Sequence, residues 1–125
     1  MLGSKIAVAT LAVRNLLAAR RFYEEAVGLE QAWIHEPNAI AYKTGNSTLF
    51  VYESAFAGTN NATAVTWVVG DDMEELVRAL KEKGVHFEHY DMPGATKNGD
   101  IHQAGDLKLA WFKDPDGNIH GLASG

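Results

Sequence analysis

Hydrophobic and polar positions follow one order of predicted elements that occurs twice along the chain. Lys5 to Val13 is rich in Ile, Val, Ala and Thr, which is typical of a buried strand. A helix is predicted next, because apolar residues recur at helical spacing between the N-cap candidate Asn15 and the C-terminal glycine Gly28. Three short strands separated by turn residues follow, over Leu29 to His35, Ala39 to Lys43 and Thr48 to Glu53.

The second half of the chain repeats this order. A polar segment from Phe56 to Asn61 marks the boundary, and Ala62 to Val69 is predicted as a strand. Acidic residues before a periodic apolar stripe predict a helix that ends near Gly84. Three more strands are predicted, over Val85 to His89, Leu107 to Lys113 and Ile119 to Ala123. Each half is therefore a βαβββ module, at about residues 5–54 and 62–123, and the repeat predicts an α+β fold.

One stretch, Asp91 to Gly105, interrupts the symmetry of the two modules. It contains Pro93, three glycines and no periodicity, so it is predicted as a loop of fifteen residues. Loops of this length are often lids or binding loops, and a surface excursion without a role is the alternative. We expect this loop to close over a cleft.

Composition and charge narrow the class of protein. With 125 residues, 46% hydrophobic and 22% charged, the chain has the values of one globular domain. The net charge of -5, with no cluster of Lys and Arg, argues against a nucleic-acid partner. No apolar run reaches the ~18 residues of a membrane span, and no signal-peptide pattern is seen, so we expect a cytoplasmic protein without a membrane partner. The absence of cysteine excludes disulfides and thiolate metal sites.

The helix from Arg21 to Val27, which runs through Gly28 into a strand, and the turn Asp114-Pro115-Asp116-Gly117-Asn118 carry a family resemblance. Together with the paired βαβββ modules, they resemble the vicinal oxygen chelate superfamily, which includes glyoxalase I, extradiol dioxygenases, fosfomycin resistance enzymes and bleomycin resistance proteins. The resemblance covers about Lys5 to Ala123 and implies one domain of two tandem modules with a curved, cup-like mixed sheet. The turn aspartates themselves are expected to be structural, because Pro and Gly at these places form a tight strand connection.

The positions that hold the metal in metal-dependent members of the superfamily carry no metal-binding side chain here. The resemblance places them on the first and last strands of each module, at Val8, near Val51, at Ala64 or Val65, and at Gly121. A divalent cation needs imidazole nitrogen or carboxylate oxygen, and none of these residues offers either. We therefore expect neither a metal nor another cofactor.

Strand alternation predicts the lining of the cup. If the metal positions face it, Glu53 and Thr66 are its most polar groups and the remainder is largely apolar. An apolar cleft with a few polar groups is the usual form of a small-molecule site. The same face is predicted to carry Ile6, Thr10, Leu49, Val68, Ile119 and Ala123, and the helix-facing side Phe50, Tyr52, Val65, Trp67, His120 and Leu122.

Five histidines are present, and one of them is a candidate for chemistry. His86 and His89 are three apart on a predicted strand, so their side chains point to opposite faces and cannot bind one ion. His35 lies at a strand end, and His120 is predicted to be a half-buried packing residue. His102 in the long loop is the candidate metal ligand or general base, with a surface or structural role as the alternative.

The large aromatic residues are candidates for ligand stacking. Trp33, Tyr42 and Trp111 lie on predicted strands, where rings on the concave face would stack on a conjugated or cationic ligand. Core packing or a subunit contact is the alternative for each of them.

Three functional hypotheses follow. The first is a metal-independent protein that binds a small organic ligand, cationic or aromatic, and the negative net charge suits a cation. Its predicted binding residues are Thr10, Trp33, Tyr42, Glu53, Thr66, His102 and Trp111. The second is an enzyme of glyoxalase type, a lyase, isomerase or dioxygenase, with an unrecognised metal or with Glu53 or His102 as a base. The third is an interaction module without a ligand. We expect a homodimer.

Overall fold

The computed structural model describes residues 1–36 and 38–124, and for residues 33–36 it describes the backbone alone. The chain divides into two compact units, Met1–Thr59 and Asn60–Gly125. This division falls inside the polar segment that the sequence marks as the boundary between modules.

The first unit consists of a strand, a helix and three further strands, as predicted. Strand β1 (Ala9–Val13) leads into helix α1 (Leu16–Arg20), and the side chain of Asn15 accepts a hydrogen bond from the N–H of Ala18 at 3.0 Å. A π-helical turn (Arg21–Ala26) extends the helix. The remaining strands are β2 (Gln31–Glu36), β3 (Ala39–Thr44) and β4 (Ser47–Glu53). Their order in the sheet is β1-β4-β3-β2, with β1 parallel to β4 and the other pairs antiparallel.

The second unit repeats this plan with an inserted hairpin. Strand β5 (Thr63–Val68), a 3-10 turn (Gly70–Asp72) and helix α2 (Met73–Glu82) come first. The following strands are β6 (Phe87–Glu88), β7 (Thr96–Asn98), β8 (Ile101–Ala104), β9 (Leu107–Lys113) and β10 (Ile119–Ala123). The sheet runs β5-β10-β9-β8-β7, with β6 paired to β9. The predicted α+β fold of two βαβββ modules is confirmed.

The prediction of a structureless loop over Asp91 to Gly105 is wrong. This stretch contains β7 and β8, which pair as a hairpin from Thr96 opposite Gln103 to Asn98 opposite Ile101. Two-residue Gly-Asp turns close the β7–β8 and β8–β9 connections, and their glycines, Gly99 and Gly105, have φ of 63° and 62°. Gly followed by Asp between short runs is a hairpin signal, which the missing hydrophobic periodicity hid.

The predicted cup face of the first unit is also wrong for β4. Leu11 lies beside Val51 and Tyr42 beside Leu49, and all four residues are buried. The ring of Tyr23, on the helix, lies 6.0 Å from that of Tyr42, so this is the helix-facing side of the sheet. Leu49, Val51 and Glu53 therefore belong to the side that the helix covers. The opposite, open face carries Thr10, Phe50 and Tyr52.

In the second unit, the buried face of the sheet is the one that the sequence predicts to face the helix. Register places Val65 beside His120 and Trp67 beside Leu122. The buried residues of this unit include Met73, Val77 and Leu80 of α2 and Ala110, Phe112 and Leu122 of the sheet. The opposite, open face carries Trp111 and Gly121, which lie opposite each other on β9 and β10.

The turn between β9 and β10 is held by one carboxylate. Asp114 is buried, and its Oδ1 accepts the N–H groups of Asp116 at 2.9 Å and Asn118 at 2.8 Å. Its Oδ2 accepts the side-chain amide of Asn118 at 2.8 Å. Gly117 completes the turn with a φ of 89°. Asp114 therefore fixes the connection that aligns β10 against β9.

In the described ranges no helix is long and apolar enough to cross a membrane.

Candidate functional site

An aromatic cluster covers part of the open face of the second sheet. The indole nitrogen of Trp111 lies 3.2 Å from the point where a Cβ on Gly121 would stand, so the glycine leaves room for the ring. Tyr90 meets the indole edge-on, with ring centroids 5.2 Å apart, and His102 meets it edge-on at 4.9 Å. We call Tyr90, His102 and Trp111 the Trp111 cluster.

Two clefts adjoin the Trp111 cluster. The first has a volume of about 390 Å³ and is lined by Asn61, Ala62, Thr63, Tyr90, Met92, Trp111 and Ile119. The second has a volume of about 320 Å³ and is lined by Tyr90, Asp91, Met92, Pro93, Ala95, Lys97 and His102. Because Tyr90 and Met92 line both clefts, a molecule in either one contacts the same two side chains. Sites of this size, with aromatic walls and few polar groups, suit small organic molecules.

His102 is the most buried polar residue of the cluster. Its exposed fraction is 1%, and its Nε2 accepts the backbone N–H of Tyr90 at 3.1 Å. A neutral imidazole has one accepting and one protonated nitrogen, so the proton lies on Nδ1. Among the described residues, Nδ1 has no hydrogen-bond partner. His102 therefore carries a buried N–H donor beside the second cleft.

Tyr90 provides a second buried polar atom at the same place. Its hydroxyl oxygen is covered from solvent and, within the part of the chain that the structure describes, makes no hydrogen bond. A buried polar atom without a partner costs about 1–3 kcal/mol, and few such atoms occur in native proteins. Both side chains line the second cleft, which makes this cleft the candidate binding site.

Charged side chains lie at the edge of the second cleft and on the hairpin. Lys97 donates to Asp91 at 2.9 Å, and this hydrogen bond, followed by the lysine charge, lowers the pKa of Asp91. Asp100, in the hairpin turn, accepts from Lys81 of α2 at 2.7 Å and contacts His89 Nε2 at 2.8 Å. The hydrogen bonds from Lys81 and then His89 lower the pKa of Asp100, against the effect of burial. The Asp100 carboxylate thus connects the hairpin to α2.

His120 is buried on the opposite face of the sheet from the Trp111 cluster. Its exposed fraction is 0%, lower than the half-buried position that the sequence predicts. The indole N–H of Trp67 donates to His120 Nδ1 at 3.0 Å, and the imidazole stacks on Phe112 with centroids 4.8 Å apart. Burial lowers the pKa of His120 to about 4. This histidine is a neutral part of the core.

Tyr42, a predicted ligand-binding residue, belongs to the core of the first unit. It is 1% exposed, and its hydroxyl donates to Glu24 Oε2 at 2.9 Å. Gln31 at 2.9 Å and Arg20 at 3.2 Å donate to the same oxygen. Burial raises the pKa of Glu24, but these three hydrogen bonds together outweigh burial and lower it. Burial and then the bond to Glu24 raise the pKa of Tyr42. This hydroxyl therefore serves the attachment of the helix to the sheet.

The other predicted site residues are dispersed. Glu53 accepts the N–H of Leu16 at 3.1 Å and so caps the start of α1, on the helix-facing side and not in a cup. Thr10 is exposed and donates to the carbonyl of Val8 at 3.2 Å. Thr66 is exposed beside Gly121. For Trp33 the structure gives the backbone pairing with Ala41, and its side chain lies outside the described part.

The structure brings together two of the predicted residues, His102 and Trp111, and adds two that the sequence analysis missed. Tyr90 and Met92 line both clefts and were not among the candidates. Their signal is weak, because Tyr90 follows the short strand β6 and Met92 lies in the stretch predicted as a loop. The sequence predicts His102 to be a loop residue, whereas it is a buried residue of β8.

The positions that hold the metal in metal-dependent members of the superfamily carry apolar residues here, and these include one buried and one exposed valine. Val51 is 0% exposed and Val8 is 44% exposed. Among the side chains that the structure describes, no three His, Cys, Asp or Glu residues lie close enough to hold a metal ion. Whether the protein works without a metal stays a prediction.

The fold class is defined by two βαβββ units, in each of which the first strand is parallel to the last. Comparison with known proteins gives the family. The sequence profile of the Glyoxalase/Bleomycin resistance protein/Dioxygenase superfamily matches residues 5–120. The chain belongs to this superfamily. No curated protein sequence matches it.

Several solved structures share this fold, and their names refer to different activities. A glyoxalase family protein from Enterococcus faecalis is 22% identical with a TM-score of 0.73, over 98% of this chain and 99% of that one. A lactoylglutathione lyase from Agrobacterium tumefaciens is 18% identical with a TM-score of 0.71, over 98% and 95%. The fosfomycin resistance protein FosX from Mesorhizobium loti is 12% identical with a TM-score of 0.70, over 100% and 94%. At these identities the likeness shows a shared fold.

Proposed function

We propose that the protein binds a small organic molecule, without a metal, in the two clefts beside the Trp111 cluster. The observation that carries the proposal is the pair of buried polar atoms, His102 Nδ1 and Tyr90 Oη, which lack partners among the described residues and belong to side chains lining one cleft. The aromatic faces of Tyr90 and Trp111 supply apolar area, and the two polar atoms supply orientation.

The names of similar structures support the choice of a small molecule. They include fosfomycin resistance proteins and a lactoylglutathione lyase, and these names refer to small organic compounds. The enzyme hypothesis receives less support from the described residues. Glu53 is occupied at the start of α1. His102 accepts at Nε2, so its remaining nitrogen is a donor and not a base.

A screen of organic compounds by thermal denaturation, with substitution of Trp111, tests the proposal. We expect compounds that raise the melting temperature of the wild type to bind the Trp111→Leu variant about tenfold more weakly, since an aromatic contact and its buried area are lost. Tyr52→Leu is the matched control, because Tyr52 is an exposed aromatic residue of the first unit. If both variants keep the affinity of the wild type, the proposed site is wrong.

Metal retention separates the proposal from the enzyme hypothesis. The protein is incubated with excess Mn, Fe, Ni or Zn and then desalted, and the bound metal is measured. The proposal predicts no stoichiometric retention. Retention near one metal per chain would favour an enzyme of glyoxalase type with an unrecognised site.

The expected homodimer and cytoplasmic location are part of this proposal. Large exposed apolar side chains support an association of chains, and they include Ile6 at 76% and Val68 at 77% exposed. Light scattering coupled to gel filtration measures the mass of the particle, and a mass of one chain at all concentrations would exclude the dimer.

A further inference from the structure

The tautomer of His102 is fixed by its backbone partner. The N–H of Tyr90 points at Nε2 at 3.1 Å, and this N–H needs an acceptor because it is part-buried. Protonation of Nε2 would place two donors against each other and leave the Tyr90 N–H without its acceptor. The proton of the neutral ring therefore stays on Nδ1, and any partner of Nδ1 has to accept a hydrogen bond.

The surroundings of His102 Nδ1 make it a donor that favours ligands with an acceptor atom. Edge-on rings flank the imidazole, Trp111 at 4.9 Å and His89 at 6.1 Å between centroids, and the atom is covered from solvent. Water therefore does not compete for the donor. A molecule with an acceptor atom therefore gains a hydrogen bond to Nδ1, whereas a molecule without one leaves the donor unpaired, as it is in the free protein.

Tyr90 can provide the access to this donor. Its side chain lines both clefts, and its hydroxyl has no hydrogen bond to any described residue that would hold the ring in place. A rotation of this ring would break no side-chain hydrogen bond to a described residue, and we expect it to make Nδ1 and the hydroxyl accessible to the same bound molecule.

The charges at the edge of the cleft do not select a cation. Lys97 and Asp91 form an ion pair at 2.9 Å, so their charges largely cancel at the entrance. A cation without an accepting atom would also face the N–H of His102 with no lone pair to offer. These contacts argue against the cationic ligand that the net charge of the chain favours.

We infer that the ligand is a planar, aromatic or conjugated molecule with an uncharged or anionic acceptor atom, a carbonyl oxygen or ring nitrogen, and that His102 Nδ1 selects it. This inference rests on the proposed function and specifies the ligand class of the same clefts. His102 is then a residue that determines specificity, while Trp111 and Tyr90 supply the apolar contact.

Three size-matched bicyclic probes test the inference on the full chain. Isoquinoline, at an alkaline pH where it is neutral, has an accepting nitrogen; naphthalene has none; and N-methylisoquinolinium is a cation without an acceptor. The affinities are measured by NMR titration of the indole N–H of Trp111. A hydrogen bond contributes about 1 kcal/mol net, or about fivefold in affinity. We therefore expect the ratio of isoquinoline to naphthalene affinity to be about fivefold higher in the wild type than in His102→Gln. N-methylisoquinolinium should bind the wild type more weakly than isoquinoline.

The variants isolate the donor from the fold. In His102→Gln the side-chain amide oxygen can reach the position of Nε2 and accept the Tyr90 N–H, while no donor remains at the position of Nδ1. His86→Gln is the matched control, since His86 is exposed. If the affinity ratio is the same in the wild type and both variants, the inference is wrong and the proposed function stands. If no probe shifts the Trp111 resonance, the proposed function and the inference fail together.

The nitrogen resonances of the His102 ring provide a measurement that needs no variant. We expect Nδ1 to be protonated and Nε2 to be unprotonated in the free protein, and isoquinoline to shift Nδ1 more than naphthalene does. A free protein with the proton on Nε2, or equal shifts with both probes, would overturn the inference even if His102→Gln failed to fold.

Discussion

Two histidines are buried in the second unit, on opposite faces of the same sheet, and their hydrogen bonding differs. His120 Nδ1 accepts the indole N–H of Trp67 at 3.0 Å, and the ring lies in the core against Phe112. His102 Nδ1 has no partner among the described residues, and the ring lies beside a cleft. Burial is nearly equal, at 0% and 1% exposed.

This difference shows that burial alone does not separate a structural histidine from a binding one. A buried polar side chain whose nitrogen has a protein partner contributes to the fold. A buried side chain whose donor lacks one in the described part of the chain costs stability, and such a cost is expected where a bound molecule repays it. His120 therefore belongs to the core, and the unpartnered donor of His102 supports its proposed role in binding.

The largest expected effect concerns the pH dependence of stability, which His120 should dominate in mildly acidic solution. Its pKa is about 4 in the folded state against an ordinary value of 6.5, so the unfolded state binds the proton first as pH falls. The contribution of His120 to the free energy of unfolding should therefore be complete above pH 6.5. It should decrease as the pH falls towards 4, by about 3 kcal/mol in total. Urea denaturation at a series of pH values measures this slope.

The variant His120→Asn tests the assignment, because its amide oxygen can still accept the indole N–H of Trp67. Its pH slope in this range should be smaller than that of the wild type. His86→Asn, at an exposed histidine, is the control and should leave the slope unchanged. A wild-type slope that persists in His120→Asn would contradict a neutral, buried His120.

The next effect concerns the glycine beneath Trp111. A Cβ at Gly121 would lie 3.2 Å from the indole nitrogen and 3.4 Å from Cδ1, which is too close unless the ring moves. We expect Gly121→Ala to cost about 1–3 kcal/mol and to displace the indole, as overpacking does in other cores. Thermal denaturation measures the cost, and the NMR shift of the Trp111 indole reports the displacement. An unchanged indole resonance together with wild-type stability would show that the ring is not confined by this glycine.

The smallest expected effect is the change in stability when the hydroxyl of either of two tyrosines is removed. Tyr42 donates to Glu24 at 2.9 Å, whereas Tyr90 Oη lacks a partner among the described residues. Tyr42→Phe should therefore destabilise the fold by about 1–2 kcal/mol, and Tyr90→Phe should be neutral or stabilising by up to about 1 kcal/mol. Urea denaturation of both variants measures the difference. Equal destabilisation by the two substitutions would show that Tyr90 Oη is bonded in solution and would weaken the proposed site.

Strong periodicity and turn chemistry made much of the fold predictable. β9 and β10 begin and end where the sequence predicts, because alternating residues flank the Asp-Pro-Asp-Gly-Asn turn. The hairpin of β7 and β8 was missed because its strands have three and four residues, too few to show an alternation. β8 depends on pairing with β9, and β7 on pairing with β8, which a local pattern does not reveal.

The candidate site was less predictable, because faces and partners depend on register. A one-residue slip moves every side chain of a strand to the other face, and this is how Val51 and Glu53 were assigned to the cup. The partner of Tyr42 is Glu24, eighteen residues away on the helix. Sequence identified His102 as a candidate, but its tautomer and its buried donor follow from the position of the Tyr90 backbone.

A crystal structure of the protein with the tightest compound from the thermal screen would show where the ligand binds. The proposed site requires the compound to lie against Tyr90 and Trp111, with an acceptor atom within hydrogen-bonding distance of His102 Nδ1 and no metal ion between them. A compound bound elsewhere, with the Trp111 cluster and both clefts unchanged, would contradict the proposed site.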